Sequence, residues 1–290
     1  MQKAIVITGA NSGLGYEATK QIAQTTNDYQ IIMACRNVEK AEAARQRIVQ
    51  FVPEVDLVCL PLDTASLVKV RAFVDDVRRL DVQLAGLICN AGVAGTTVYQ
   101  TEDGFNNILE TNYLGHFLLT HLLMPMMTPD ARIINVSSDR HDAPKDLTWP
   151  GVEQLATSGK DELVDRRSYS YSKLCIILFT YKLAQQLKVN HSRMTVNVVN
   201  PGLMIETGLA KDKSRFTPEM LDHFKDLRAT AEASGDMLTD LMLNAKFANT
   251  SAKYYDRRST NPIPSSKLSY QKDIQDELWQ FSMENVGLAR

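Results

Sequence analysis

The sequence predicts an α/β fold, a doubly wound three-layer αβα arrangement around a parallel sheet, in a single domain spanning residues 1–290. Three observations predict it. Short β-rich runs alternate with longer helix-forming segments over the first 200 residues. The strand-like runs are continuously apolar rather than alternating, which implies burial on both faces and therefore helices above and below. The first run is followed at once by a glycine cluster, TGANSGLG from Thr8 to Gly15, and then by helix-forming residues. No internal repeat, low-complexity tract or Pro/Gly/Ser linker divides the chain, and 290 residues at 44% hydrophobic can bury a large core.

The elements follow in order. AIVIT (4–8) reads as the first strand and YEATKQIAQ as its helix. YQIIMAC (29–35) precedes VEKAEAARQRIVQ, VDLVCLPL (55–62) precedes SLVKVRAFVDDVRRL, and LAGLICN (84–90) precedes FNNILETNYLGHFLLTHLLMPMM, expected as one long helix. ARIINVSS (131–138), the helix SKLCIILFTYKLAQQLK and RMTVNVVN (193–200) complete the βαβ series. Composition turns more polar after about residue 205; SAKYY from Ser251 predicts a last strand and DIQDELWQFSMENVGL a last helix.

Several function classes are excluded. Thirty-two basic against 34 acidic residues, a net charge of -2, provide no electropositive field for nucleic acid or anionic lipid. Apolar stretches such as LCIILFTY fall short of a bilayer span and the N-terminus has no leader pattern, so a cytoplasmic protein without a membrane anchor is expected. Cys35, Cys59, Cys89 and Cys175 sit in apolar runs with no CxxC pair and no histidine at ligand spacing, which predicts reduced thiols and no metal.

A glycine turn between a first strand and first helix lets backbone approach a pyrophosphate, while unpaired N–H groups at the helix start complement its charge, the Rossmann-type arrangement. GxGxxA is matched at Gly13 to Ala18, but a strand ending at Thr8 makes Gly9 the turn glycine and the pattern TGxxxGxG. At the end of strand two MACRN has no carboxylate from Ile31 to Val38, so Arg36 offers a bidentate donor for a 2′-phosphate, favouring NADPH over NADH; the alternative is a solvated arginine opening helix two. Asp63, ending strand three, either meets an adenine edge or caps the helix starting at Ser66.

TGANSGLG, NAG (90–92), NYLGHF (112–117), NVSS (135–138), YSYSK (169–173) and NPG (200–202) together resemble the ordered motif set of the short-chain dehydrogenase/reductases over nearly the whole chain. The resemblance implies an NADP-dependent oxidoreductase interconverting a carbonyl and an alcohol on a small molecule. It implies coenzyme contacts from Gly9, Asn11, Ser12, Gly13, Leu14, Gly15, Arg36, Asn37, Asp63, Asn90, Ala91, Gly92, Tyr169, Lys173, Pro201 and Gly202. Chemistry agrees: hydride addition leaves an alkoxide to be protonated, and a phenol beside an ammonium suits that task. Tyr169 and Lys173 lie four apart on one helix face, so Lys173 can lower the phenol's pKa. The resemblance assigns Ser138, rather than Ser137, to the substrate oxygen, and makes Asn112 the amide holding a relay water, or else a buried amide satisfying backbone. His116 and His121 have no chelating spacing and read as packing or surface residues, and Ser138 with His141 lacks a third member for a hydrolase triad.

Thirty residues (139–168) separate Ser138 from Tyr169, an expected insertion beside the pocket. With MACRN, TNYLGHFLLT and ELWQFSMENVGLA it gives a similarity to the branch of retinol dehydrogenases and protochlorophyllide oxidoreductases. Leu203 stands where the light-dependent enzymes place a cysteine, and the chain begins at strand one where retinol dehydrogenases commonly carry an anchor. Residues 203–250 are expected to cover the pocket, with Leu203, Met204, Ile205, Leu209, Phe216, Met220, Met237 and Met242 suggesting a fairly hydrophobic substrate. Alternatives are a light-dependent reductase and a catalytically silent NADP(H)-binding sensor. A monomer or homodimer is expected; family members often pair through the helices corresponding to 101–126 and 169–188, and the insertion could obstruct one of those faces.

Overall fold

The computed structural model describes residues 1–95, 98–145, 147–158, 163–209, 217–257 and 259–288. Its centre is an eight-stranded sheet: β1 (Lys3–Thr8), β2 (Gln30–Cys35), β3 (Leu57–Pro61), β4 (Gln83–Cys89), β5 (Met127–Val136), β6 (Thr195–Asn200), β7 (Tyr254–Asp256) and β8 (Ser259–Ile263), in the order β3-β2-β1-β4-β5-β6-β7-β8. β1 to β7 pair in parallel, and β8 is antiparallel to β7. β8 had no sequence signature because STNPI is exposed and polar; Pro262 suits an edge strand, where a missing N–H blunts further pairing.

Side-chain alternation along each strand feeds two cores. Ile5, Ile7, Ile31, Met33 and Ile134 face α1 (Gly13–Thr25), α2 (Val38–Phe51) and α9 (Ala231–Leu243). Ala4, Val6, Ile32, Leu87 and Ile133 face α3 (Leu67–Arg79), α5 (Gly115–Leu123), α7 (Leu163–Val189) and α10 (Lys272–Asn285). Both sheet faces are therefore covered, as the unbroken apolar runs required. α3 starts at Ser66, whose hydroxyl accepts from Lys69 N at 3.5 Å, and ends on Arg78 and Arg79, charges that suit the negative helix end.

The expected single helix over 105–127 is instead broken. α4 (Asn107–Leu109) runs into a π-helical turn, Glu110–Leu114, before α5, and Pro125 ends the segment in a 3-10 turn so that Met127 already begins β5. Gly115 allows α5 to press against the β3–α3 connection: a Cβ there would lie 2.1 Å from the Thr64 carbonyl oxygen.

The 139–168 segment packs into the second core through Leu147, Val152 and Leu155, with α6 spanning Val152–Thr157, and its last residues form the start of α7. Trp149 Nε1 donates to Glu277 Oε2 at 2.8 Å, joining this segment to α10. On the same side Trp279 of α10 stacks within 5.4 Å of Phe117 and 6.2 Å of Phe179, ring centre to ring centre. Among the described residues no helix is long and apolar enough to cross a membrane.

Candidate active site

A parallel sheet brings all its strand ends to one edge, and the residues anticipated from the sequence follow those ends: Gly9 after β1, Arg36 after β2, Asp63 after β3, Asn90 after β4, Ser138 after β5 and Pro201 after β6. Chain order reverses between β1 and β4, so α1 leaves on one face and α5 on the other, opening a crevice where ligands bind in such sheets. Gly9 takes φ +68°, a conformation that favours glycine, and donates its N–H to Ala34 O at 2.8 Å. Gly15 packs so closely that a Cβ would sit 2.4 Å from Gly9 O.

The residues present fit a nicotinamide dinucleotide. Ser12 is the N-cap of α1 but makes no side-chain cap bond, leaving the first-turn amides of Gly13, Leu14 and Gly15 for an anionic ligand. Asn11, beside it, is half-buried. Arg36 is exposed and forms no ion pair among the described residues. Asn37 caps α2, accepting from Lys40 N at 2.7 Å. Asp63 does not cap α3, a role Ser66 takes; it accepts from Ala65 N at 3.2 Å and pairs with Lys69 at 3.3 Å on the crevice rim. After β4, Asn90 and Ala91 donate their N–H groups to Thr8 Oγ1, and Gly92 is packed so closely that a Cβ would meet Asn112 Oδ1 at 3.0 Å and Lys173 Nζ at 3.8 Å. Gly202, φ +83°, turns the chain after the buried Pro201.

The residues expected to carry acid–base chemistry come from the π turn, the end of β5 and α7. Lys173 is buried and donates to Val136 O at 3.0 Å, with Nζ 5.6 Å from the centre of the Tyr169 ring. Asn112 holds both main-chain groups of Val93, accepting from its N–H at 2.8 Å and donating to its carbonyl at 2.9 Å, and also donates to Ser172 Oγ at 2.9 Å. Ser137 is buried and committed to Lys173 O at 2.8 Å, whereas Ser138 is half-buried, its hydroxyl donating to Asp139 Oδ1 at 3.0 Å and accepting from Arg140 N–H at 3.2 Å on the side of the Tyr169 phenol. Tyr171 points away, donating to Thr148 O at 2.8 Å.

The phenol departs from the expectation that Lys173 lowers its pKa. Part of Tyr169 is open to the crevice, yet loss of water pushes its pKa up to about 12, against the opposing Ser138 bond. Burial also pushes the Lys173 ammonium down to about 8. Loss of water thus decides the direction of both shifts, and the phenol keeps its proton across the neutral range.

Three buried polar residues make ties that the sequence reading did not assign them. His116 bridges Asn112 O and Thr8; His141 donates from Nδ1 to Ser138 O at 2.6 Å and accepts from Ser266 N–H at 3.0 Å, fixing the backbone of Ser138. Glu110 opens the π turn, fully buried and bonded by the Thr101 hydroxyl. Burial, with Asp103 nearby, raises its pKa to about 8. A carboxyl with a raised folded-state pKa contributes stability in full below its unfolded value and loses it as pH rises through the folded one. Glu110→Gln should therefore gain stability relative to the unaltered chain between pH 5 and 8, by on the order of 4 kcal/mol at most. Urea melts of both proteins across that range measure it.

Comparison with known proteins decides the family. The short chain dehydrogenase family model matches residues 3–147, and retinol dehydrogenase 13 of Mus musculus is 33% identical over 99% of this chain and 84% of its own length. The chain belongs to the short-chain dehydrogenase family. Within it the retinol dehydrogenases are similar over nearly the whole chain, as is a polyprenol dehydrogenase of Danio rerio at 32% identity, 99% of this chain and 87% of that protein. A solved structure of a putative uncharacterized protein from Mycobacterium Paratuberculosis superposes with TM-score 0.74 at 28% identity, covering 99% of this chain and 94% of that one. A Burkholderia cenocepacia short-chain dehydrogenase in complex with NADP shares the fold, with TM-score 0.66 and 20% identity over 88% of this chain and 96% of that one. This short-chain dehydrogenase is accordingly an oxidoreductase of a family that uses nicotinamide coenzymes.

The expected cover over the pocket divides in two. Met237 and Met242 are buried in the core beneath α9, so that helix supports the sheet. Leu203 N donates to Leu227 O at 2.7 Å and Ala229 N to Leu203 O at 3.0 Å, stitching the segment after β6 to the one following α8 (Pro218–His223). Met204, Ile205 and Met220 are half-buried and Leu209 is exposed, while Phe216 lies outside the described residues.

Proposed function

We propose that this dehydrogenase interconverts a carbonyl and an alcohol on a fairly hydrophobic small molecule, with NADPH as coenzyme and Tyr169 as the acid–base residue. The observation that carries it is the gathering of the Tyr169 ring, 5.6 Å from Lys173 Nζ, and the Ser138 side chain beside Gly92 at the end of β4. When bound, the reduced nicotinamide supplies hydride. Ser138 hydrogen-bonds the substrate oxygen and orients it, and the Tyr169 hydroxyl donates its proton to that oxygen as negative charge develops. Lys173 holds positive charge next to the phenolate left behind and would be the residue to hold the nicotinamide ribose. Asn112, through its clamp on Val93, keeps the turn after β4 against Lys173.

Residues 203–209 and 217–229 are the proposed cover, and Leu203, Met204 and Ile205 favour an apolar substrate. The retinol and polyprenol dehydrogenases among the relatives carry apolar substrates in their names, which supports the same class here. No specific observation favours photochemistry or a silent sensor. The test is NADPH oxidation, followed at its absorbance, over a panel of aliphatic, aromatic and isoprenoid aldehydes and ketones: turnover on apolar members is expected, and tight NADPH binding without turnover on any would overturn the proposal.

Coenzyme choice rests on Arg36, which stands exposed where a carboxylate would select NADH. Arg36→Asp should lower kcat/KM with NADPH about 10- to 100-fold and raise it with NADH, the loss expected for one charge-assisted pair. Steady-state rates with both coenzymes measure the switch.

A further inference from the structure

We propose that His116 is a positioning residue that ties the coenzyme-binding turn after β4 to the π turn bearing Asn112, so that coenzyme site and acid–base pair share one register. The proposal rests on the oxidoreductase reading above. His116 is 4% exposed, and both of its ring nitrogens are engaged: Nδ1 lies 3.2 Å from Asn112 O and Nε2 2.9 Å from Thr8 Oγ1.

The chemistry of these partners fixes the tautomer. A carbonyl oxygen only accepts, so Nδ1 carries the proton and Nε2 presents a lone pair. The Thr8 hydroxyl must then donate to Nε2, and its oxygen is left to accept from Asn90 N–H at 2.8 Å and Ala91 N–H at 2.9 Å. The opposite tautomer would send the Thr8 hydrogen to Ile88 O, farther off at 3.4 Å, and set the Nδ1 lone pair against the Asn112 carbonyl. Only the first arrangement satisfies every group.

The result is one directed chain: the Asn90 and Ala91 amides to Thr8, Thr8 to His116, His116 to the Asn112 carbonyl. Asn90 Nδ2 adds a second tie to Thr8 O at 2.8 Å. Burial keeps His116 neutral, with its pKa lowered to about 4, and the neighbouring Lys173 charge acts in the same direction. The π turn matters because it places the Asn112 side chain on Val93 while its carbonyl remains within reach of the imidazole.

The two ends of the bridge can be cut separately. His116→Gln retains an acceptor for Thr8 and should leave the NADP dissociation constant within about twofold, yet displace the basic limb of the kcat–pH profile set by Lys173. His116→Asn retains a donor to Asn112 O and should keep that limb while weakening NADP binding about tenfold. His116→Leu should do both. On the unaltered protein, 15N spectra of the imidazole rings should show a neutral Nδ1–H histidine whose signals vanish in His116→Gln, a readout that does not depend on any variant's activity. An Nε2–H tautomer at His116 would overturn the proposal. So would three variants that share one drop in melting temperature with NADP affinity and pH limb unchanged, since packing alone predicts that. Should Tyr169→Phe retain turnover, the acid–base reading falls while NADP affinity and the tautomer still judge His116.

Discussion

Replacing Tyr169 by phenylalanine should lower carbonyl reduction about a thousandfold while leaving the NADPH dissociation constant within a factor of two. The substitution removes one hydroxyl from a half-open position and leaves the ring that Lys173 approaches at 5.6 Å, so the fold and the coenzyme turn are untouched. Because the phenol's pKa is pushed up to about 12, the unaltered enzyme holds the donor proton throughout the neutral range. Its rate of reduction should instead fall as pH rises through about 8, where Lys173 loses its charge. Stopped-flow NADPH oxidation from pH 6 to 10 tests both statements; full turnover in the phenylalanine variant would remove Tyr169 from the chemistry.

Gly115→Ala should be the most disruptive single methyl added to the described site. Its Cβ would fall 2.1 Å from Thr64 O and 2.8 Å from Thr64 C, atoms of backbone that cannot rotate aside. Overpacking of this kind costs about 3 kcal/mol or more, which in a chain of this size lowers the melting temperature by roughly 6–12 °C. Thr64 adjoins Asp63 on the crevice rim, so coenzyme affinity should weaken together with stability. Differential scanning fluorimetry with and without NADP measures the two losses; an unchanged melting temperature would mean that α5 does not press on that connection.

Much of the crevice's geometry was legible because strand ends of a parallel sheet share one edge, and the residues there answer to local demands: a positive φ at Gly9, a cap at Asn37, an exposed cation at Arg36. Tyr169 and Lys173 were legible for the same reason, their spacing being a property of one helix. What could not be seen depends on partners distant in sequence. The π turn lies directly before Gly115, which presses on Thr64, and no periodicity in FNNILETNYLGHF records either feature. His116 looked inert because chelation was sought along its own helix, whereas one of its partners is Thr8, 108 residues away. The pKa of Tyr169 was expected to follow its charged neighbour and instead follows its lost water, a balance set by packing depth.

The last helix has a consequence for the two helices beneath it. α10 lays Trp279 against Phe117 of α5 and Phe179 of α7, and Glu277 fastens the Trp149 segment beside it. The aromatic rings that α5 and α7 turn outward are thereby roofed by an indole from the same chain, which clamps the two helices to each other across the sheet's flank.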